Sequence, residues 1–167
     1  MNGPGVLTDA FGRIGGMVHA VVEDLSTDQL ARRVDEDANS IAWLIWHLTR
    51  VQDDHVAAVA GTEQLWHSEW FGRFGLPLER DDTGYGHRSD QVALVRADAT
   101  TLLAYYDAVE AATLRYVAGL SDDDLDRVVD RRWDPPVTLG VRLVSVIDDD
   151  VAHAGQAAFV RGVVTRS

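Results

Sequence analysis

The sequence predicts an all-α fold, an antiparallel four-helix bundle in a single domain spanning 1–167, and three observations carry that expectation. No alternating apolar and polar run of five or more residues stands between turn dipeptides, so strand signals are nearly absent. Apolar residues instead recur every three to four positions through four long windows. Capping residue types, glycines and a proline pair punctuate the ends of those windows.

The first window runs from about 6 to 24, with Leu7, Ala10, Ile14, Met17, Val21 and Leu25 in one stripe that Gly15 and Gly16 weaken. Asn39 and Ser40 open the second, whose Ile41, Leu44, Leu48, Val51 and Val59 share a face until Gly61 stops the helix. Residues 61–88 then form a long excursion with room for one short helix near 62–72; loops of that length and composition are often lids or pocket walls. Ser89 is the expected cap of the third window, which carries Val95, Ala99, Leu102, Tyr106, Val109 and Tyr116 up to Gly119. The fourth starts after Pro135-Pro136 with Thr138 as cap and runs through Leu139, Val146, Ala157 and Val160 to about 163. An internal echo supports the pairing of these helices. Leu25-Ser26-Thr27-Asp28-Gln29-Leu30 is matched in type by Leu120-Ser121-Asp122-Asp123-Asp124-Leu125, each ahead of a long helix, which would bring the second and fourth helices to the centre.

Composition excludes several functions. All 15 basic residues are Arg, so lysine Schiff-base chemistry and a Walker-type phosphate loop are out. The chain has no Cys, which leaves His and carboxylate as the ligands for any metal. A formal net charge of −12 opposes nucleic acid as a partner, because affinity for a polyanion comes from clustered cations. No run approaches the roughly 18 apolar residues that span a bilayer. The N-terminal segment lacks the basic and apolar parts of a secretory signal, so a cytoplasmic location is expected.

Candidate chemistry lies on the second and fourth helices. His153 falls near the middle of the fourth stripe, and Asp149 sits one turn earlier on the same stripe. An apolar face bears a carboxylate only when the group is paired or binds a cation, and i,i+4 spacing lets two side chains grip one metal. A hydrogen-bonded Asp–His pair in the core satisfies the same spacing. In the second window His47 lies on the flank of the stripe and His55 nearer its centre; on periodicity either is a ligand or a core histidine. Arg50, Arg142 and Arg161 are candidate anchors for an acidic substrate, or else surface arginines. Trp66 and Trp70 either pack inside or wall an entrance to the metal pocket, while His19, His67 and His87 are expected to face solvent.

Trp46-His47-Leu48-Thr49-Arg50, together with Asp149-x-x-x-His153-Ala154-Gly155-Gln156, resembles the DinB-like superfamily of four-helix metalloproteins. The likeness is to the actinobacterial branch similar to mycothiol-dependent maleylpyruvate isomerase and the mycothiol S-transferases. It implies a divalent metal (zinc most readily, nickel or iron as alternatives) on His47, Asp149 and His153, and it selects His47 over His55. Relatives usually carry His or Glu at the position of Asp149, so Asp150 is kept as a fallback ligand. The resemblance further implies a metal-dependent thiol S-transferase or thiol-dependent isomerase, with mycothiol as cosubstrate, for whose sugar Arg50, Arg142 and Arg161 are candidate anchors, an electrophilic small molecule as substrate, and a homodimer as one allowed state. Two other readings stand beside it. One is a non-catalytic, stress-associated binding protein with a degraded site; the other is a metallohydrolase, for which Asp54 or Glu69 would have to serve as base.

Overall fold

A computed structural model describes residues 1–166; Ser167, the last residue of the expected domain, lies outside it. The long helices are α1 (Gly3–Val22), α3 (Ile41–Ala60), α6 (Ala99–Ala118) and α8 (Leu139–Val164), with short helices α2 (Thr27–Ala31), α4 (Phe71–Phe74), α5 (Ser89–Val92) and α7 (Asp122–Leu125) between them. The chain is an all-α bundle. Each of α1 and α3 packs on both α6 and α8, which puts α1 and α3 on one diagonal of the bundle and α6 and α8 on the other. No helix among the described residues is long and apolar enough to cross a membrane.

Caps explain most boundaries. The Ser40 side chain accepts from Trp43 N to start α3, and Gly61 ends it in the left-handed region at φ 71°. Thr138 caps α8 in the same way. The two echoed segments become α2 and α7, each opened by a serine capping box. The third window divides where no break is expected. Ser89 lies in α5, the chain turns through 93–98 to bury Val95, and Asp98 rather than Ser89 caps α6. A two-stranded hairpin, β1 (Val128–Asp130) with β2 (Val137–Thr138), also goes unforeseen, because strands of three and two residues carry no periodicity to detect.

Burial around α3 departs most from the sequence reading. Every residue from 40 to 50 is buried, because α8, α6 and the 61–88 excursion close over it from different sides. A helix covered all round has no wet face, so position on an apolar stripe does not sort its residues.

His19 ties α1 to α6. Its Nε2 is 2.7 Å from Asp107 and its Nδ1 3.0 Å from Glu23, and hydrogen bonding to Asp107, then to Glu23, raises the imidazole pKa against a smaller effect of burial. A histidine held charged in the folded state stabilises it fully below the ordinary pKa of about 6.5, and that contribution disappears as pH rises through the raised folded value. The His19 contribution to the unfolding free energy is therefore expected to fall on going from pH 6 to 8. His19→Ala should remove up to about 1 kcal/mol of that fall, the pair being partly exposed and screened. Urea melts of both proteins at the two pH values check it.

Candidate metal centre

α3 and α8 run antiparallel and bring His47, Asp149 and His153 together, with one ligand atom from each lying within 4.8 Å of the others. Asp149 and His153 are one turn apart on α8, with His153 Nε2 3.5 Å from Asp149 Oδ1. The His47 and His153 rings meet edge to face, centroids 4.9 Å apart.

The outer nitrogens orient both imidazoles. His47 Nδ1 donates to the Thr83 carbonyl, and His153 Nδ1 donates to Gln156 Oε1 at 2.9 Å. His47 Nε2 is thereby left as the unprotonated donor atom a metal takes, while His153 Nε2, 3.5 Å from Asp149 Oδ1, would give up its proton to a metal bound there. Asp149 Oδ2 is buried without a hydrogen-bond partner among the described residues, the expected state of a carboxylate oxygen waiting for a cation. Burial lowers the His47 pKa, and the Thr83 carbonyl opposes it only in part. For Asp149 burial alone would raise the pKa, but the hydrogen bond and charge of His153 hold it below the usual carboxylate range. Asp149 in turn raises His153. Two imidazoles and a carboxylate, with no fourth protein ligand among the described residues, fit a divalent ion that keeps open coordination positions.

The fallback ligand takes no part. Asp150 is wholly buried on the bundle side of α8, its two oxygens unpartnered among the described residues, and burial pushes its pKa well up toward a neutral acid.

The excursion supplies the groups that hold the ligands from outside. Trp43 stacks on His47 at 4.6 Å, and its indole Nε1 donates to His87 Nδ1 at 3.1 Å. His87 Nε2 then donates to Asp82, whose Oδ1 also accepts from Gly84 N. The solvent-facing placement expected for His87 is thus corrected. Its side chain is 3% exposed, because the Trp43 indole and the Asp82 carboxylate satisfy both ring nitrogens inside. His67 is half-buried beside Asp81, and His19 is paired as above. The relative burial of the two α3 histidines is also reversed. His47 is the buried one, while the His55 side chain is 38% exposed on a separate cleft.

The three arginines go to different places. Arg50 is fully buried, donating to the Asp82 carbonyl and to Gln64 Oε1 with Trp66 stacked on its guanidinium, so it fastens the excursion to α3. Arg161 donates to the carbonyls of Val21 and Glu23 and closes the end of α1. Arg142 lines the cleft that His55 borders. Trp66 and Trp70 are buried packing residues against Tyr105, and the aromatic wall of the triad is Trp43.

Gly84 makes the close approach of the excursion possible. At φ 88° a Cβ there would stand 2.9 Å from His47 Nδ1, 2.9 Å from Trp46 and 3.1 Å from Trp43. Gly84→Ala is expected to push the Thr83 carbonyl off His47 and weaken metal binding by about 10- to 100-fold, the usual cost of losing a second-shell partner. Gly86→Ala is the matched control. Gly86 also has positive φ, yet its added methyl meets nothing within 4 Å, so metal titration should separate the two variants.

A mycothiol-S-transferase family model matches residues 6–166. The chain belongs to this DinB-like family. Among solved structures, this mycothiol-S-transferase family chain is similar to a crystal structure of a conserved protein from Enterococcus faecalis at 30% identity and a TM-score of 0.92, covering 100% of this chain and 99% of that one. No curated protein matches it significantly. Three supporting residues of this family member escape sequence reasoning: Asp82, Thr83 and Gly84. The only trace they leave is the Asp-x-Gly-x-Gly spacing of 82–86, a generic turn signal.

Proposed function

We propose that the chain is a divalent-metal-dependent thiol S-transferase, joining a low-molecular-weight thiol such as mycothiol to an electrophilic small molecule. The observation that best supports this is the paired orientation of His47 and His153, each with Nδ1 committed outward and Nε2 turned to the group shared with Asp149, whose Oδ2 is buried without a partner among the described residues. His47, Asp149 and His153 would hold a divalent cation that would lower the pKa of a bound thiol, a nucleophile that a protein without Cys must take from its cosubstrate. The residues of the chain do the rest. His47, Asp149 and His153 present three donors from two helices. Thr83 and Gln156 fix the tautomers, and Trp43 covers one face of His47 and keeps water from it. A hydrolytic role is less well served, since Asp54 accepts from Gln64 and Glu69 lies at the surface near Arg73.

Zinc-loaded protein is expected to conjugate mycothiol to a bimane or chlorodinitrobenzene reagent. Activity should be lost on chelation and regained on adding the metal back. Equal rates with and without chelator would overturn the proposal.

A further inference from the structure

The hairpin, α3 and α8 enclose a cleft of about 710 Å³ that shares its two helices with the triad. Arg142 precedes Asp149 on α8 by seven residues and His55 follows His47 on α3 by eight, so at 1.5 Å per residue the cleft opens about 10–12 Å along the groove. Four of the fifteen arginines line it, Arg127, Arg131, Arg132 and Arg142, against two acids, Asp54 and Asp130. A local cationic excess on a chain of net charge −12 is the reverse of what composition supplies.

The guanidinium groups are only partly neutralised, two of them sharing one carboxylate. Asp130 accepts from Arg132 at 2.8 and 3.0 Å and from Arg142 at 3.4 Å, fixing two guanidinium groups with one carboxylate. Arg127 is braced by the Val59 carbonyl and the Tyr116 hydroxyl. Arg131 makes no ion pair or hydrogen bond among the described residues. Trp133, 65% exposed, adds a flat apolar wall at the rim.

We infer that this cleft is an anion subsite that takes the carboxylate of the electrophilic substrate, a small acid whose reacting atom reaches the triad while its carboxylate rests between Arg131 and Arg142. Planar guanidinium pairs hold carboxylates in bidentate fashion, and the groove sets the separation between charge and reacting atom. This inference rests on the S-transferase reading only for what happens at the triad. Binding of the acid itself needs no metal.

The test uses succinate as probe, with uncharged succinamide beside it, titrated calorimetrically into the full chain in metal-loaded and chelated forms. Succinate is expected to bind both forms alike and succinamide neither. Arg131→Gln and Arg142→Gln should each weaken succinate at least about tenfold; Arg131 is exposed, so its variant is not expected to disturb the fold even if loss of Arg142 frees Asp130. In turnover, succinate should compete with an acidic electrophile and not with the thiol. Equal binding of succinamide, no effect of either substitution, loss of succinate binding on chelation, or competition with the thiol would each overturn the inference. A chain that takes up no metal yet binds succinate would fail the function proposed above and leave the subsite standing.

Discussion

His153→Ala protein is expected to bind zinc more than about a hundredfold more weakly than the native chain, since losing only a group that hydrogen-bonds a ligand already costs about 10- to 100-fold. The substitution removes one of three donors, releases Gln156 and leaves Asp149 without the cation-like partner that holds its pKa down. Packing loss is modest because the ring is only partly buried. Competition against a chelator of known affinity measures the change. His55→Ala supplies the contrast: its ring borders the arginine cleft, so zinc affinity should stay within about twofold of native while stability falls by less than about 1 kcal/mol. Zinc retained by His153→Ala, or lost from His55→Ala, would place the metal elsewhere.

Asp53→Ala is expected to produce the largest loss of stability. This buried carboxylate accepts from Leu65 N at 2.9 Å, Trp66 N at 2.8 Å and Tyr105 OH at 2.8 Å, with Arg50 3.8 Å away. It caps the π-helical turn Trp66–Trp70 that starts the excursion and joins that turn to both α3 and α6. Removing it takes the counter-charge from a buried guanidinium and the acceptor from three donors, which costs about 3–5 kcal/mol. For a domain of this size that corresponds to a fall in melting temperature of roughly 6–20 °C. A thermal melt of metal-free protein tests the effect without interference from the site; a fall of less than about 3 °C would show that water satisfies the orphaned groups.

Much of the architecture is legible in the sequence because local chemistry sets it. Ser40, Gly61 and Thr138 bound α3 and α8 through hydrogen bonds and a left-handed φ that their residue types favour. The pair Asp149 and His153 is legible for the same reason: i,i+4 spacing is a property of one helix. The relation of His47 to His55 is not local. It depends on what covers α3, and the excursion that buries His47 reaches it through a backbone carbonyl, a group that every residue carries and that no composition reveals. The arginine cleft is hidden similarly. Arg127, Arg131 and Arg132 become neighbours of Arg142 only because a five-residue pairing folds the chain back between α7 and α8. The break at 93–98 follows from burial of Val95, a tertiary demand that overrides a continuous helical period.

The distribution of the three donors along the chain has a thermodynamic consequence. Asp149 and His153 remain neighbours even in an unfolded chain, whereas His47 is about a hundred residues away and joins them only when α3 and α8 dock. A ligand stabilises the native state only to the extent that it prefers it over the denatured one, and here that preference resides almost wholly in the distant histidine. The proposed ion therefore works as a removable cross-link closing a long loop. A His47→Ala chain could still capture zinc on its local pair and yet gain almost nothing in melting temperature from it, so occupancy and stabilisation, which rise together in the native protein, would part company in that one variant.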